Sequence, residues 1–159
     1  MPKAKKSRAP KMTEHEMSIE DAISSAMSEI QSLADEMREA FDNTPESLQG
    51  SAAGQAREEA ADNLENISEP DVPTELQGSG FVVKWSTKTL SPSAMRKQSR
   101  SDRRYEAVET LCAVVSHLEK ISEDKELSKE VREAAENFVD DVQSVIDDAE
   151  AVDFPGMYG

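Results

Sequence analysis

Apolar residues recur at alternating intervals of four and three positions between residues 18 and 42. This spacing keeps one helix face apolar, as in the seam of a helical bundle or a coiled coil. Ser18 precedes acidic residues, so its hydroxyl can cap the first turn. The pattern predicts a helix over 18–42 whose buried face consists of Ile19, Ile23, Ala26, Ile30, Leu33, Met37 and Ala40.

Three later segments carry similar seams and predict helices over 51–67, 102–121 and 128–152. We expect the third helix to have Ser101 as its N-cap and the last helix to start at Ser128. The predicted seam residues are Ala53, Ala56, Ala60, Leu64 and Ile67 in the second helix; Tyr105 or Arg104, Val108, Leu111, Cys112, Val115, Leu118 and Ile121 in the third; and Val131, Ala135, Phe138, Val142, Val145, Ala149 and Val152 in the last.

Between these helices, the segment GFVVKWSTKTL at 80–90 alternates with a period of two and is rich in β-branched residues. This composition favours a short strand. No second strand is apparent from the sequence, and an isolated strand leaves its backbone groups unpaired. The segment would therefore pair across a dimer, lie extended on the helices, or pair with a partner protein.

Together these elements predict a mostly α fold, with two helical hairpins forming a four-helix bundle or coiled-coil-like assembly and one short strand-like segment between them. Because the second helix is rich in alanine and buries little, a lone bundle would be marginal, and we expect a homo-oligomer, most simply a dimer. The predicted organisation is a disordered basic tail (1–17), an acidic helical hairpin (18–70), a linker with the strand-like and basic segment (71–101), a second acidic helical hairpin (102–154) and a C-terminal tip (155–159).

The formal net charge of −15 is unevenly distributed along the chain. Residues 1–11 carry +5, residues 12–83 carry −15, residues 84–104 carry +6 and residues 105–159 carry −11. Two acidic segments thus alternate with two basic ones, and the central basic segment contains the only tryptophan, Trp85. Such segregation points to charge-dependent contacts, either within the chain or with a partner.

Composition narrows the class of protein further. Hydrophobic residues make up 36% and aromatic residues 4% of the chain, which suits helices with narrow aliphatic seams. The single Cys112 cannot form an internal disulfide and is expected to be a small buried hydrophobic residue. No signal peptide or membrane-spanning apolar run is apparent, so we expect a soluble, cytoplasmic protein that does not associate with membranes.

Motifs for catalysis or cofactor binding are not apparent in the sequence. The two histidines, His15 and His117, belong to no metal-binding or catalytic pattern. The segment GSAAGQA at 50–56 has two glycines before a helix but lacks the lysine and hydroxyl residue of a phosphate loop. We therefore expect no enzymatic activity, no cofactor and no bound metal.

The basic segment supplies the candidate partner-contact residues, because aromatic and arginine side chains dominate interaction hot spots. An alternative is that the tryptophan caps the open end of the bundle and the bases neutralise nearby acids of the same chain. The candidate residues are Trp85, Arg96, Lys97, Arg100, Arg103 and Arg104.

Two functions fit these features. The first is a charge-segregated interaction or structural protein that binds a protein partner. The second is an acidic mimic of nucleic acid, because rows of carboxylates on a helix can imitate duplex phosphates and so inhibit a DNA- or RNA-binding enzyme. Direct nucleic-acid binding is expected only through the basic tail or the basic segment.

Five phrases of the chain, in their order, resemble small acidic helical accessory proteins encoded by tailed bacteriophages. The resemblance covers most of residues 18–159 and rests on composition and phrase order rather than on a diagnostic motif. It implies an accessory protein in the host-cell cytoplasm, including an inhibitor of a host nucleic-acid enzyme, and it implies no site residue. The phrases are MREAFDN, AREEAADNLENISEPDVPTEL, FVVKW, SRSDRRYEAVETL and DFPGMYG.

Overall fold

The computed structural model describes residues 11–78 and 80–155 of the 159-residue chain. This part of the chain is mostly helical and contains a two-stranded antiparallel sheet. The elements in chain order are β1 (Met12–Ser18), α1 (Ile19–Asp42), α2 (Glu46–Gln49), α3 (Ala52–Glu65), a 3-10 turn (Thr74–Leu76), β2 (Val82–Lys88), α4 (Pro92–Arg96), α5 (Arg100–Glu123) and α6 (Lys129–Glu150).

The four long helices α1, α3, α5 and α6 confirm the helices predicted from the seams, with small differences at their ends. Ser18 caps α1 by accepting a hydrogen bond from the Asp21 amide at 3.1 Å, as expected. The N-cap predicted for α5 was wrong, because Ser99 rather than Ser101 precedes that helix. Ser99 forms a reciprocal capping box with Asp102, which satisfies two backbone amides that a single hydroxyl cannot.

The predicted strand is confirmed as β2, but its pairing differs from every arrangement expected from the sequence. It pairs antiparallel with β1, in a register that runs from Met12↔Lys88 to Ser18↔Val82. The prediction of disorder was therefore wrong for residues 12–17, while residues 1–10 and the tip at 156–159 lie outside the described residues. The alternation of β1 is weak, because only Met17 on its inner side is a large apolar residue.

One hydrophobic core joins all four long helices to the sheet. The inner face of β2 contributes Val83, which is fully buried, and the 3-10 turn contributes Leu76 against α6. Helix α1 packs against α3 and α5, and α5 packs in addition against α6, whereas α3 and α6 touch only marginally. The segment expected to be a linker is thus partly incorporated into the core.

The buried face of α5 is rotated relative to the predicted seam. The burial predicted for Val108, Leu111, Leu118 and Ile121 is confirmed. Tyr105 is 63% exposed and Cys112 is exposed, so these two predictions were wrong. Because α5 is contacted by α1 and α6 together, the buried apolar row also includes Ala107 and Val114. The buried residues of this row are Ala107, Leu111, Val114, Leu118 and Ile121, with Val108 beside them.

Gly54, in the first turn of α3, is in close contact with the backbone of α2. A Cβ at this position would lie 2.4 Å from the carbonyl oxygen of Gln49 and 2.6 Å from that of Leu48. We expect Gly54→Ala to lower the free energy of unfolding by about 1–2 kcal/mol, since overpacking outweighs the better helix propensity of alanine. Chemical denaturation followed by circular dichroism measures this loss. Gly50→Ala is the control, because its Cβ would meet nothing within 4 Å; equal stability of the two variants would contradict the expected clash.

Candidate interaction surfaces

Two arginines of the basic segment bind acidic residues of α1. Arg103 donates from Nε to Glu29 Oε1 at 2.5 Å and from Nη1 to Glu36 Oε2. Arg100 lies 3.8 Å from Glu36 in a further ion pair. Burial opposes the charge of the Arg103 guanidinium, but its hydrogen bonds to Glu36 and Glu29 outweigh this effect and raise its pKa. These arginines therefore hold α5 against α1.

Unlike Arg103, Arg104 contacts the segment that follows α6 rather than α1. Its guanidinium donates to the backbone carbonyl oxygen of Val152. The same group lies 5.1 Å from the ring centroid of Phe154, within the range of a cation–π contact. Arg104 thus joins the start of α5 to the end of the described chain.

Trp85 lies on the inner side of the sheet and is half-buried. Its ring stacks on that of His15, with centroids 5.0 Å apart and an interplanar angle of 20°. The imidazole Nε2 of His15 is in turn 2.7 Å from Thr87 Oγ1. The cross-strand pair His15↔Trp85 therefore gives the ribbon a fixed aromatic surface facing α1 and α5.

The remaining predicted contact residues, Arg96 and Lys97, lie on and just after α4. Both are exposed, and neither side chain forms a hydrogen bond or ion pair with any described residue. The candidate set therefore divides into internal contacts made by Arg100, Arg103 and Arg104, a stacked Trp85, and two cations open to solvent. Sequence reasoning did not identify the acceptors Glu29 and Glu36, although their spacing of seven places them on one face of α1.

A groove, which we call the α5 groove, runs along α5 opposite the end of β2 and α4. It consists of two cavities of about 380 and 520 Å³. The first cavity is also lined by Trp85 and Arg103, and the second by Lys97 and Tyr105. The residues common to both cavities are Thr87, Gln98 and Glu106.

Helix α6 presents a second feature, which we call the α6 acidic face. No lysine or arginine occurs between residues 133 and 155, and within the described chain the acidic residues after Glu133 form no ion pair. All of them are exposed, while the opposite side of α6 is anchored in the core by residues such as Phe138. The α6 acidic face consists of Glu136, Asp140, Asp141, Asp147, Asp148 and Glu150.

Two side chains that can take part in reactive or metal-binding chemistry, Cys112 and His117, have shifted pKa values. Partial desolvation, followed by the charges of Glu150 and Glu109, raises the pKa of the Cys112 thiol, which lowers the fraction of reactive thiolate. Burial, followed by the charge of Lys120, lowers the pKa of His117. Over residues 11–78 and 80–155, no group of three or more His, Cys, Asp or Glu side chains is placed to hold a metal ion.

None of the described helices combines the length and apolar character needed to cross a bilayer.

Comparison with known proteins found no match to the chain among protein-family models, curated proteins or solved structures.

Proposed function

We propose that this protein is a non-enzymatic helical interaction protein that binds a basic partner protein through the α6 acidic face. The observation that carries this proposal is the internal use of the basic segment. Arg100 and Arg103 are bound to α1, and Arg104 to the carbonyl of Val152. These three arginines are therefore engaged elsewhere, and no described lysine or arginine forms an ion pair with the α6 acidic face.

Charge of this kind suits recognition rather than stability. The overall charge of −15 attracts a basic surface over long range and increases the rate of encounter. Because α6 is anchored by a row of buried residues, its carboxylates are held on a rigid support and need little ordering when a partner binds. The interaction should therefore weaken as salt is added.

A second candidate function is inhibition of a nucleic-acid-binding protein by mimicry of nucleic acid. The arrangement of the α6 acidic face favours it. Glu136, Asp140 and Asp147 share one side of the helix, and Asp141 and Asp148 form a parallel row. From residue 136 to residue 148 these rows extend over about 18 Å of helix axis. Two lines of negative charge on a straight support resemble the phosphates of a duplex.

The proposal also includes three expectations that rest on the sequence alone. They are the homodimer, the arrangement of the long helices as a four-helix bundle, and the role of a phage-encoded accessory protein.

Neutralising the α6 acidic face should weaken partner binding. We expect the variant Asp140→Asn, Asp141→Asn, Asp147→Asn, Asp148→Asn to lose about tenfold or more in affinity, since each exposed charge pair contributes about 0.2–1 kcal/mol. The tagged protein would be used to capture partners from a lysate of the cells in which it is naturally made, with quantification by mass spectrometry. Circular dichroism would confirm that the variant is folded.

A matched control variant distinguishes the effect of the α6 acidic face on binding from the effect of the net charge. The variant Glu58→Gln, Glu59→Gln, Glu119→Gln, Glu123→Gln removes the same number of exposed carboxylates elsewhere and should retain partner capture within about twofold. Equal losses in both variants, or no loss in the first, would contradict the proposed face. If duplex DNA competes for the captured partner, the mimic is favoured; if it does not, the interaction with a basic protein surface is favoured.

A further inference from the structure

We infer that the α5 groove is a second binding site, which takes an extended basic peptide segment through its lysine or arginine side chains. This inference rests on the proposed function only in assuming that the partner is basic. It concerns a different surface, formed by the β1–β2 sheet, α1, α4 and α5 rather than by α6.

The shape of the groove fits an extended chain. Its two cavities adjoin at Thr87, Gln98 and Glu106, which line both, so the cavities lie side by side along α5. Along α5 the lining runs from Asp102 to Thr110, which corresponds to about 12 Å of helix axis. A fully extended peptide covers about 3.3–3.6 Å per residue, so the groove accommodates three to four residues, roughly.

Two carboxylates on the α5 side lack a cationic partner within the described chain. Glu106 accepts a hydrogen bond from the neutral amide of Gln98 at 2.8 Å, and neither Glu106 nor Glu109 forms an ion pair with any described lysine or arginine. The negative charge of Glu109, followed by the hydrogen bond between the Glu109 and Tyr105 side chains, raises the pKa of the Tyr105 hydroxyl. The electrostatic field next to Tyr105 is therefore negative. A cation that enters the groove can therefore form charge-assisted hydrogen bonds here.

The aromatic residues of the groove complement the aliphatic stems and charged ends of lysine and arginine. Trp85 lines the first cavity, and Tyr105 lines the second with 63% of its surface exposed. Leu90 and Ala94 add an apolar wall on the opposite side. Exposed aromatic faces next to carboxylates bind such amphipathic cations through methylene packing and cation–π contacts.

The charges of the whole groove argue against an anionic ligand. In the first cavity the guanidinium of Arg103 already binds two carboxylates, and an anion there would also meet Glu29 and Glu106. Lys88 and Lys97 line the wall opposite α5. They repel a cation on their own side, which directs it towards α5, and they can donate to backbone carbonyl groups of an extended peptide.

The test uses a blocked five-residue peptide that alternates arginine and alanine, labelled with a dye, and a matching peptide with glutamate in place of arginine. Dye anisotropy measures affinity, and Trp85, the only tryptophan, reports occupation of the groove. We expect saturable binding of the arginine peptide, with a change in Trp85 emission, and no binding of the glutamate peptide. Binding without a change in Trp85 emission would place the peptide elsewhere and overturn the inference.

Variants of α5 give the decisive comparison. Glu106→Gln, Glu109→Gln should weaken peptide binding by about tenfold or more, because two charge-assisted contacts are lost. Glu119→Gln, Glu123→Gln removes the same charge farther along α5 and should change the affinity by less than about twofold. Equal effects of the two variants on affinity would overturn the inference that the α5 groove binds the peptide. If peptide binding instead depends on Asp140, Asp141, Asp147 and Asp148, the inference fails while the proposed function of the α6 acidic face stands.

Discussion

Phe138→Ala should lower the free energy of unfolding by about 3–5 kcal/mol, the largest effect that we expect of a single core substitution. Phe138 is 1% exposed and is the largest fully buried side chain of the described core. Its removal loses the apolar area and leaves a cavity that the surrounding helices cannot fill. Since small domains are stable by about 5–15 kcal/mol, the variant should be close to the limit of folding.

Urea denaturation measures this effect in two regions, because circular dichroism follows the helices and Trp85 fluorescence follows the sheet. Because one core joins α6 to the sheet, we expect both signals to shift together to lower urea. Val139→Ala, at the neighbouring half-buried position, is the control and should lose about 1 kcal/mol or less. A Trp85 transition that stays in place while helix is lost would show two independent hairpins instead of one cooperative unit.

The long helices could be predicted from the sequence because their apolar spacing is sustained over many turns. In α1 and α6 the predicted seams coincide with the buried residues, apart from half-buried positions such as Ala40 and Val131. In α5 the sequence offers two apolar rows that share Leu111, Leu118 and Ile121, and packing against both α1 and α6 decides which residues beside them are buried. The exposure of Tyr105 and Cys112 follows from that choice, which is a property of the tertiary structure.

The sheet and the groove were less accessible to sequence reasoning. Strand β1 combines charged residues with a single large apolar inward side chain, so its alternation is weak, and its pairing with β2 spans more than sixty residues of chain. The His15–Trp85 stack and the α5 groove exist only through this long-range pairing. No local pattern could therefore have placed Glu106 and Tyr105 beside β2 and α4.

The position of the basic segment has a structural explanation that charge counting alone could not select. An acidic α1 and an acidic α5–α6 hairpin would repel each other if no cations lay between them. Arg103, close to the N-terminus of α5, supplies positive charge at this junction, where it meets Glu29 and Glu36. Its unfavourable position near the positive end of a helix is offset by these two carboxylates.

Arg103→Gln should therefore destabilise the fold by about 2–3 kcal/mol, because two charge-assisted hydrogen bonds are lost. The Arg103 side chain is 24% exposed, so solvent screens these bonds only in part. In the variant, Glu29 and Glu36 would face each other with less compensation, and we expect about 1 M salt to restore part of the loss. Thermal or urea denaturation at low and high salt measures both effects.

Arg96→Gln provides a control with the same change of charge at an exposed side chain that forms no hydrogen bond or ion pair with described residues, and it should change stability by less than about 0.5 kcal/mol. Glu29→Gln, alone and combined with Arg103→Gln, completes a double-mutant cycle. The combined variant should be less destabilised than the sum of the single changes, since the first change already removes the interaction. Additive losses, or equal losses for Arg96→Gln and Arg103→Gln, would contradict the assignment of Arg103 as an internal contact, and its role would then lie in binding a partner.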